Sequence, residues 1–269
     1  NYDRTHHGPV TIHQALGNSL NIPIIRLLNQ MGGPKPLLEL YHDLEFKHLT
    51  KPAQNYGLGL AIGSGEVSLL EAAEAFSMLA NEGRYQTSQL FLSDAEHTKQ
   101  PKQPKRVLSR ESVFLVSSIL SDNSARSSAF GSDSNLRLPF PCAVKTGTST
   151  DFRDNWCIGY TKKYTVAVWV GNLDNTPMKG ISGVTGAGPV FNSIMLHLHK
   201  NQSPEWIEQP AKIVSVQVHP HTGKLLRPSH PHYSTAIHTF APMDHLPLIA
   251  SSDDTDTNGK IYLDSRYID

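Results

Sequence analysis

The chain has 269 residues, and 24 Lys and Arg balance 24 Asp and Glu for a formal net charge of zero with histidine neutral. That length suits one large domain, or one domain with a smaller companion. Without a basic field it argues against a nucleic-acid partner. Its longest clean apolar run, "TVAVWV" at 165–170, is far shorter than the ~20 residues that cross a bilayer, so no membrane segment is expected. The opening "NYDRTHHGPV" has neither an initiator methionine nor the order of a signal peptide, and the chain reads as an excised piece of something longer.

The first third reads helical. Thr11 is placed to cap a helix over "TIHQALGNSLN". The next, "IPIIRLLNQMGG", puts Ile24, Ile25, Leu28 and Met31 on one face, with Pro23 in its first turn and Gly32-Gly33 at its stop. "PLLELYHDLEF" repeats the pattern through Leu37, Leu38, Tyr41 and Leu44. After the glycine-rich loop 56–65, Ser68 and Glu71 have the spacing of a capping box. That helix has its apolar face on Leu69, Ala72, Ala73 and Phe76, and Gly83 closes it. The proline-broken basic stretch 97–106 reads as a surface loop, 109–122 as a helix, and "SARSSAFGSDSN" as a serine-rich connection.

From residue 142 the period changes. "CAVKTGTS", the turn "TDFRD" and "NWCIGYTKKYTVAVWVGN" read as three adjacent antiparallel strands, followed by a helix within 183–200. Helices, a meander and another helix predict an α+β domain over 1–204, an antiparallel sheet flanked by helices. Residues 205–250, crowded with Pro, His and Ser, read as a linker with short strands such as "KIVSVQV". Residues 251–269 read as the start of a β-rich accessory module. Cys142 and Cys157 are too few for a disulfide framework, and their apolar surroundings favour buried free thiols.

One residue sits oddly in this pattern. Lys145 ends an apolar strand, where lysine is rarely buried, and it precedes a glycine that weakens a strand. A lysine flanked by Thr146 and Thr148 offers an ammonium and hydroxyls beside bare backbone. Gly147 lets a ligand approach that strand closely, and a substrate ending in a carboxylate finds a cation and a strand edge to extend. Strict alternation nevertheless puts Lys145 and Thr146 on opposite faces, so a local twist is needed for both to reach one cleft.

Four stretches, "ALGNSLNIPIIRLL", "YGLGLAIGSGEVSLLEAAEAFSMLANEG", "VKTGTSTDFRDNWCIGYT" and "VAVWVGN", resemble the transpeptidase domain of bifunctional (class A) penicillin-binding proteins. The resemblance spans most of 9–200, and the histidine-rich connection points to the 1C-type subgroup. It implies a serine acyltransferase that cross-links D-Ala-D-Ala stem peptides and is acylated by β-lactams. In that reading Lys145 shapes the field for the substrate carboxylate. The hydroxyls of Thr146 and Thr148 help hold it, beside Gly147, and the Thr148 N–H is half of an oxyanion hole. Ser19 of Ser19-Leu20-Asn21 becomes a proton relay, and Asn21 clamps the substrate amide. Local sequence alone also allows both to be helix caps.

The family's nucleophile, the serine of Ser-x-x-Lys, is missing: no serine here is followed three residues on by lysine. The resemblance places that motif upstream of Asn1, in a parent tethered to the inner membrane with its catalytic domains in the periplasm and a glycosyltransferase domain in the same chain. The upstream segment is then a partner of this one, which by itself is expected to be inactive. A β-lactamase or carboxypeptidase of the same fold, and a non-catalytic peptide-binding module, are the alternatives. No cofactor or metal is expected. Asp254-x-Asp256-x-Asn258-Gly259 lacks the last ligand of a calcium loop and reads as a turn. His219, His221, His230, His232, His197 and His199 read as solvated loop or helix-edge histidines.

Overall fold

The computed structural model describes residues 5–89, 103–251 and Asp254. Its helices begin with α1 (Ile12–Gly17), α2 (Asn21–Gln30), α3 (Lys35–Asp43), α4 (Ala53–Tyr56) and α5 (Leu69–Ala80). Two short strands, β1 (Arg84–Tyr85) and β2 (Lys105–Arg106), pair with each other and lead into α6 (Arg110–Ser121) and α7 (Asn123–Phe130). The meander follows as β3 (Ala143–Thr148), β4 (Asp154–Tyr160) and β5 (Thr165–Gly171), then α8 (Ala187–Leu198). A final antiparallel pair, β6 (Ile213–Val218) and β7 (Ile237–Pro242), closes the described chain.

The order β3-β4-β5 makes β3 and β5 the edges of the central sheet. Each face carries its own core, as the alternation of strand residues requires. Val144, Cys157, Val166 and Val168 meet Ala187, Phe191 and Met195 of α8 on one side. On the other, Ala143 and Tyr160 meet Val113, Phe114 and Leu120 of α6. A Cβ at Gly159 would fall 2.6 Å from the Phe191 ring and 2.5 Å from the Ala143 carbonyl oxygen, so a glycine here lets α8 close on the sheet. A third cluster, Leu38, Leu44, Leu49, Leu60, Met78 and Tyr85, binds α3 and α5 together.

The α+β reading, the meander, the Thr11 cap and the Ser68–Glu71 capping box agree with this structure. Thr11 and Gln14 close one box on α1, and Ser68 and Glu71 the other on α5. The buried Glu71 carboxylate does more than cap, since it also accepts from the Lys47 N–H at 2.6 Å and pairs with His48 Nδ1 at 2.8 Å. Cys142 and Cys157 are buried free thiols, and burial pushes each up to about 12.

Three expectations fail. The face expected on α2 is only partly covered: Ile24 and Met31 are exposed, Ile25 is half-buried and Leu28 alone is buried. The serine-rich "connection" is a helix, α7. The Asp122 side chain caps it by accepting from the Ser124 N–H, Gly131 stops it, and Ala125 and Arg126 are buried. Ser hydroxyls that cap or bond back to the preceding turn allow helix as readily as loop, which composition does not reveal. Finally, His199 and His219 are buried rather than solvated. Most of the basic stretch 97–106 and all of 255–269 lie outside the described residues. Trp206, Ile207, Ile213 and Phe240 join the core cluster of α6 and Tyr160.

Candidate active site

Ser19 owes its position to how α1 ends. The Leu20 N–H bonds the Ala15 carbonyl at 2.9 Å and the Ser19 N–H bonds that of Leu16 at 3.2 Å, which together are a Schellman stop. In such a stop the left-handed residue is usually glycine. Here it is Ser19, with φ of 56°. A side chain in that conformation costs about 1 kcal/mol. The preceding residues fix the stop in space. A Cβ at Gly17 would lie 2.5 Å from the Ala125 carbonyl oxygen, so α1 and α7 touch backbone to backbone. Asn18 bridges them, donating to the Gln14 and Ala125 carbonyls and accepting from the Ala129 N–H. His13 Nε2 pairs with Asp122 at 3.0 Å at the start of α7.

Onto this anchored turn comes Lys145. Its Nζ donates to Ser19 Oγ at 2.6 Å and to the Thr146 carbonyl at 2.7 Å. Burial depresses its basicity from the usual lysine value to about 8. The two motifs, 126 positions apart in the chain, thus meet in one hydrogen bond. Neither Ser19 nor Asn21 caps α2 through its side chain: the N-cap is Leu20, and Asn21 is the first helical residue.

No twist reconciles Lys145 with Thr146. Because the Ser149 N–H bonds the Asp154 carbonyl, antiparallel alternation turns the backbone of Lys145 and Gly147 toward β4. The N–H and C=O groups of Thr146 and Thr148 turn to the open edge. Lys145 reaches that edge by bending its long side chain over the strand, as its bond to the Thr146 carbonyl requires. The side chains of Thr146 and Thr148 face α8. The Thr148 hydroxyl accepts from the Gly183 N–H at 3.0 Å, and a Cβ at Gly183 would lie 3.2 Å from Thr146 Cβ and 2.6 Å from the Gly147 carbonyl oxygen. A Cβ at Gly147 would make ordinary 3.4 Å contact with Trp156, so the fold itself does not demand glycine at that position. The room it leaves is room beside the strand.

Two participants escaped the sequence reading. Gly183 lies in a glycine-rich turn whose composition signalled only a bend. Arg126 gave no signal at all. It is 5% exposed, its Nε has no hydrogen-bond partner, and burial lowers its basicity. With Gly17, Phe130, Val144, Lys145 and Thr146 it lines a cavity of about 10 Å³, near the volume one water occupies.

Chemically, the arrangement joins an amine of reduced basicity to a hydroxyl that accepts its proton, beside backbone N–H groups aimed outward from a strand edge. It can pass a proton through Ser19 and stabilise charge at the edge. Among the described residues no group of three or more His, Cys, Asp or Glu is placed to hold a metal ion.

Comparison with known proteins gives a consistent result. The family model described as the penicillin binding protein transpeptidase domain matches residues 1–196. Penicillin-binding protein 1C of Escherichia coli is 28% identical over 194 residues, covering 72% of this chain and 24% of that protein. Penicillin-binding protein 4 of Bacillus subtilis is 29% identical, covering 69% of this chain and 30% of that protein. In fold, the crystal structure of penicillin-binding protein 1A from Haemophilus influenzae superposes with a TM-score of 0.74 at 22% identity, over 93% of this chain and 42% of that one. Penicillin-binding protein A from M. tuberculosis, in its imipenem acyl-enzyme complex, gives 0.53 at 18% identity, over 69% of this chain and 47% of that one. The chain spans about a quarter of the length of the first curated relatives it matches.

Proposed function

The chain belongs to the penicillin-binding protein transpeptidase family, and from that premise we propose that it forms the larger part of a peptidoglycan DD-transpeptidase site. The observation that carries this reading is the 2.6 Å bond from Lys145 Nζ to Ser19 Oγ, which joins two separate motifs into one proton path.

In the proposed reaction a serine oxygen, giving its proton to the lysine of its own Ser-x-x-Lys segment, attacks the carbonyl of the penultimate D-alanine of a stem peptide, and the C–N bond to the terminal D-alanine breaks. Ser19 delivers a proton to the departing amine and is resupplied by Lys145. The outward N–H of Thr148 faces the oxyanion, Asn21 holds the substrate amide, and Thr146 and Thr148 hold the terminal carboxylate beside Gly147. The amine of a second stem peptide then takes the acyl group and releases the serine. A β-lactam enters the first half of this cycle and leaves the serine acylated.

The attacking serine belongs, in this proposal, to a Ser-x-x-Lys segment upstream of Asn1, since no serine of this sequence has lysine three residues on. The parent is then a 1C-like class A protein with a glycosyltransferase domain, held at the inner membrane and working in the periplasm. The relatives named penicillin-binding protein 1C and 1A support the 1C-like class A part of that assignment.

Intact mass after incubation with a penicillin tests it, on this chain and on one extended upstream through Ser-x-x-Lys. A covalent adduct is expected on the extended chain alone, slowed or abolished by Lys145→Ala. No adduct on a folded extended chain overturns the transpeptidase reading and leaves a peptide-binding module.

A further inference from the structure

Two His-Pro-His triplets, 219–221 and 230–232, lie in the segment between β6 and β7. The fold gathers them into one cluster. Ring centroids are 6.0 Å apart for His219 and His221, 6.0 Å for His219 and His232, and 5.7 Å for His230 and His232. His219 is 7% exposed.

The first ring of each triplet acts as a hydrogen-bond acceptor. His219 Nδ1 accepts from the N–H groups of His221 and Thr222, each at 3.3 Å. His230 Nδ1 accepts from the His232 N–H at 3.2 Å, while its Nε2 faces the Ser251 carbonyl at 3.4 Å. An imidazole accepts at Nδ1 only while that nitrogen is unprotonated. The His219 turn is therefore closed by a neutral ring.

The loop passes beside the start of α1. A Cβ at Gly223 would lie 3.6 Å from Thr11 Cγ2, and Thr11 is the N-cap of α1. We propose that the His219 turn, packed against the second His-Pro-His triplet, forms a proton-sensitive latch, closed at neutral pH and released in acid, that holds the 219–236 loop beside the start of α1.

Protonating His219 Nδ1 turns an acceptor into a donor that faces the two backbone N–H groups of His221 and Thr222. The charged groups around His219 are His221, His230 and His232, which oppose its protonation after burial does, and Asp254, which favours it. Asp254 is itself engaged by Lys224 and by the Ser251 N–H. The sign follows from that balance. The closed state resists the proton that the open state takes up near pH 6.5, so latch stability holds above that pH and falls below it. Metal capture fits the cluster less well, because no three of these groups converge among the described residues and two Nδ1 atoms are spent on backbone.

The test is amide hydrogen exchange on the protein at pH 7.5 and 5.5, corrected for intrinsic rates and resolved at the N–H groups of His221, Thr222 and His232. Protection at His221 and Thr222 is expected to fall by up to about tenfold between these values, the ratio for one imidazole barred from titrating while closed. The double variant His219→Asn, His230→Asn places a non-titrating amide oxygen where each Nδ1 accepts, and is expected to stay protected at pH 5.5. Equal protection at both pH values in the unaltered protein overturns the latch. So does the same acid loss in the Asn variant, or protection that responds to added Zn²⁺ and not to pH.

Discussion

Replacing Ser19 separates what its hydroxyl does from what its backbone tolerates. Ser19→Ala removes the hydroxyl but keeps a Cβ at φ of 56°, whereas Ser19→Gly removes both. Each loses the bond from Lys145, and a hydrogen bond to a charged group contributes about 1.5–3 kcal/mol. That figure is an upper bound here, because the ammonium keeps the Thr146 carbonyl. The glycine variant regains the ~1 kcal/mol spent on a left-handed side chain, less the extra entropy of glycine in the unfolded chain. Ser19→Gly is therefore expected to be about 0.5 kcal/mol more stable than Ser19→Ala, or about 1–2 °C in Tm. Paired thermal and urea unfolding measures the difference. On the upstream-extended protein both variants are expected to slow β-lactam acylation by about 10²–10⁴-fold, the range for a lost proton-transfer group. If the alanine variant is as stable as the glycine variant, Ser19 carries no backbone strain. If the glycine variant acylates at the normal rate, Ser19 is no relay.

Further outcomes follow from other groups. Lys145 is protonated at pH 7 in both folded and unfolded chains, but above about 8 the folded chain releases its proton first. Stability should therefore rise between about pH 8 and the ordinary lysine value, and Lys145→Met should abolish that rise in urea titrations. Arg126→Met replaces a buried guanidinium whose Nε lacks a partner, and is expected to leave the protein as stable or up to about 1–4 kcal/mol more so; a loss of stability would mean Arg126 has a partner that matters. Burial alone would raise the Glu71 carboxyl, but the N–H groups of Lys47 and Ser68, with His48, bring it down to about 2. Its contribution should be complete above the ordinary carboxylate value, fade as pH falls toward 2, and be missing in Glu71→Gln, read as a flatter acid-unfolding curve.

Much of this was legible because it is local. Ser68 and Glu71 announce a capping box by spacing alone, and the Val-rich alternation of 165–170 announces a strand. Lys145 stood out as a charge at the end of an apolar run. What stayed hidden is non-local or depends on side-chain direction. Nothing in "SARSSAFGS" says that Arg126 is buried, because its burial comes from the β3 edge and Gly17 closing over it. The partly covered face of α2 was misread because amphipathic spacing tells which residues share a side, not what lies opposite. The two His-Pro-His triplets are 11 positions apart, and only the β6–β7 pairing brings their rings together.

The bond between Lys145 and Ser19 also has a meaning for how the chain folds. Its partners are 126 positions apart, so forming it carries the loop-closure entropy of a long-range contact. No fragment holding only one of the two motifs can display it. A lysine with basicity near 8 is then a census of completed molecules. An amine-selective label applied during refolding would follow the arrival of this long-range contact, and its amplitude would count the chains that reached it.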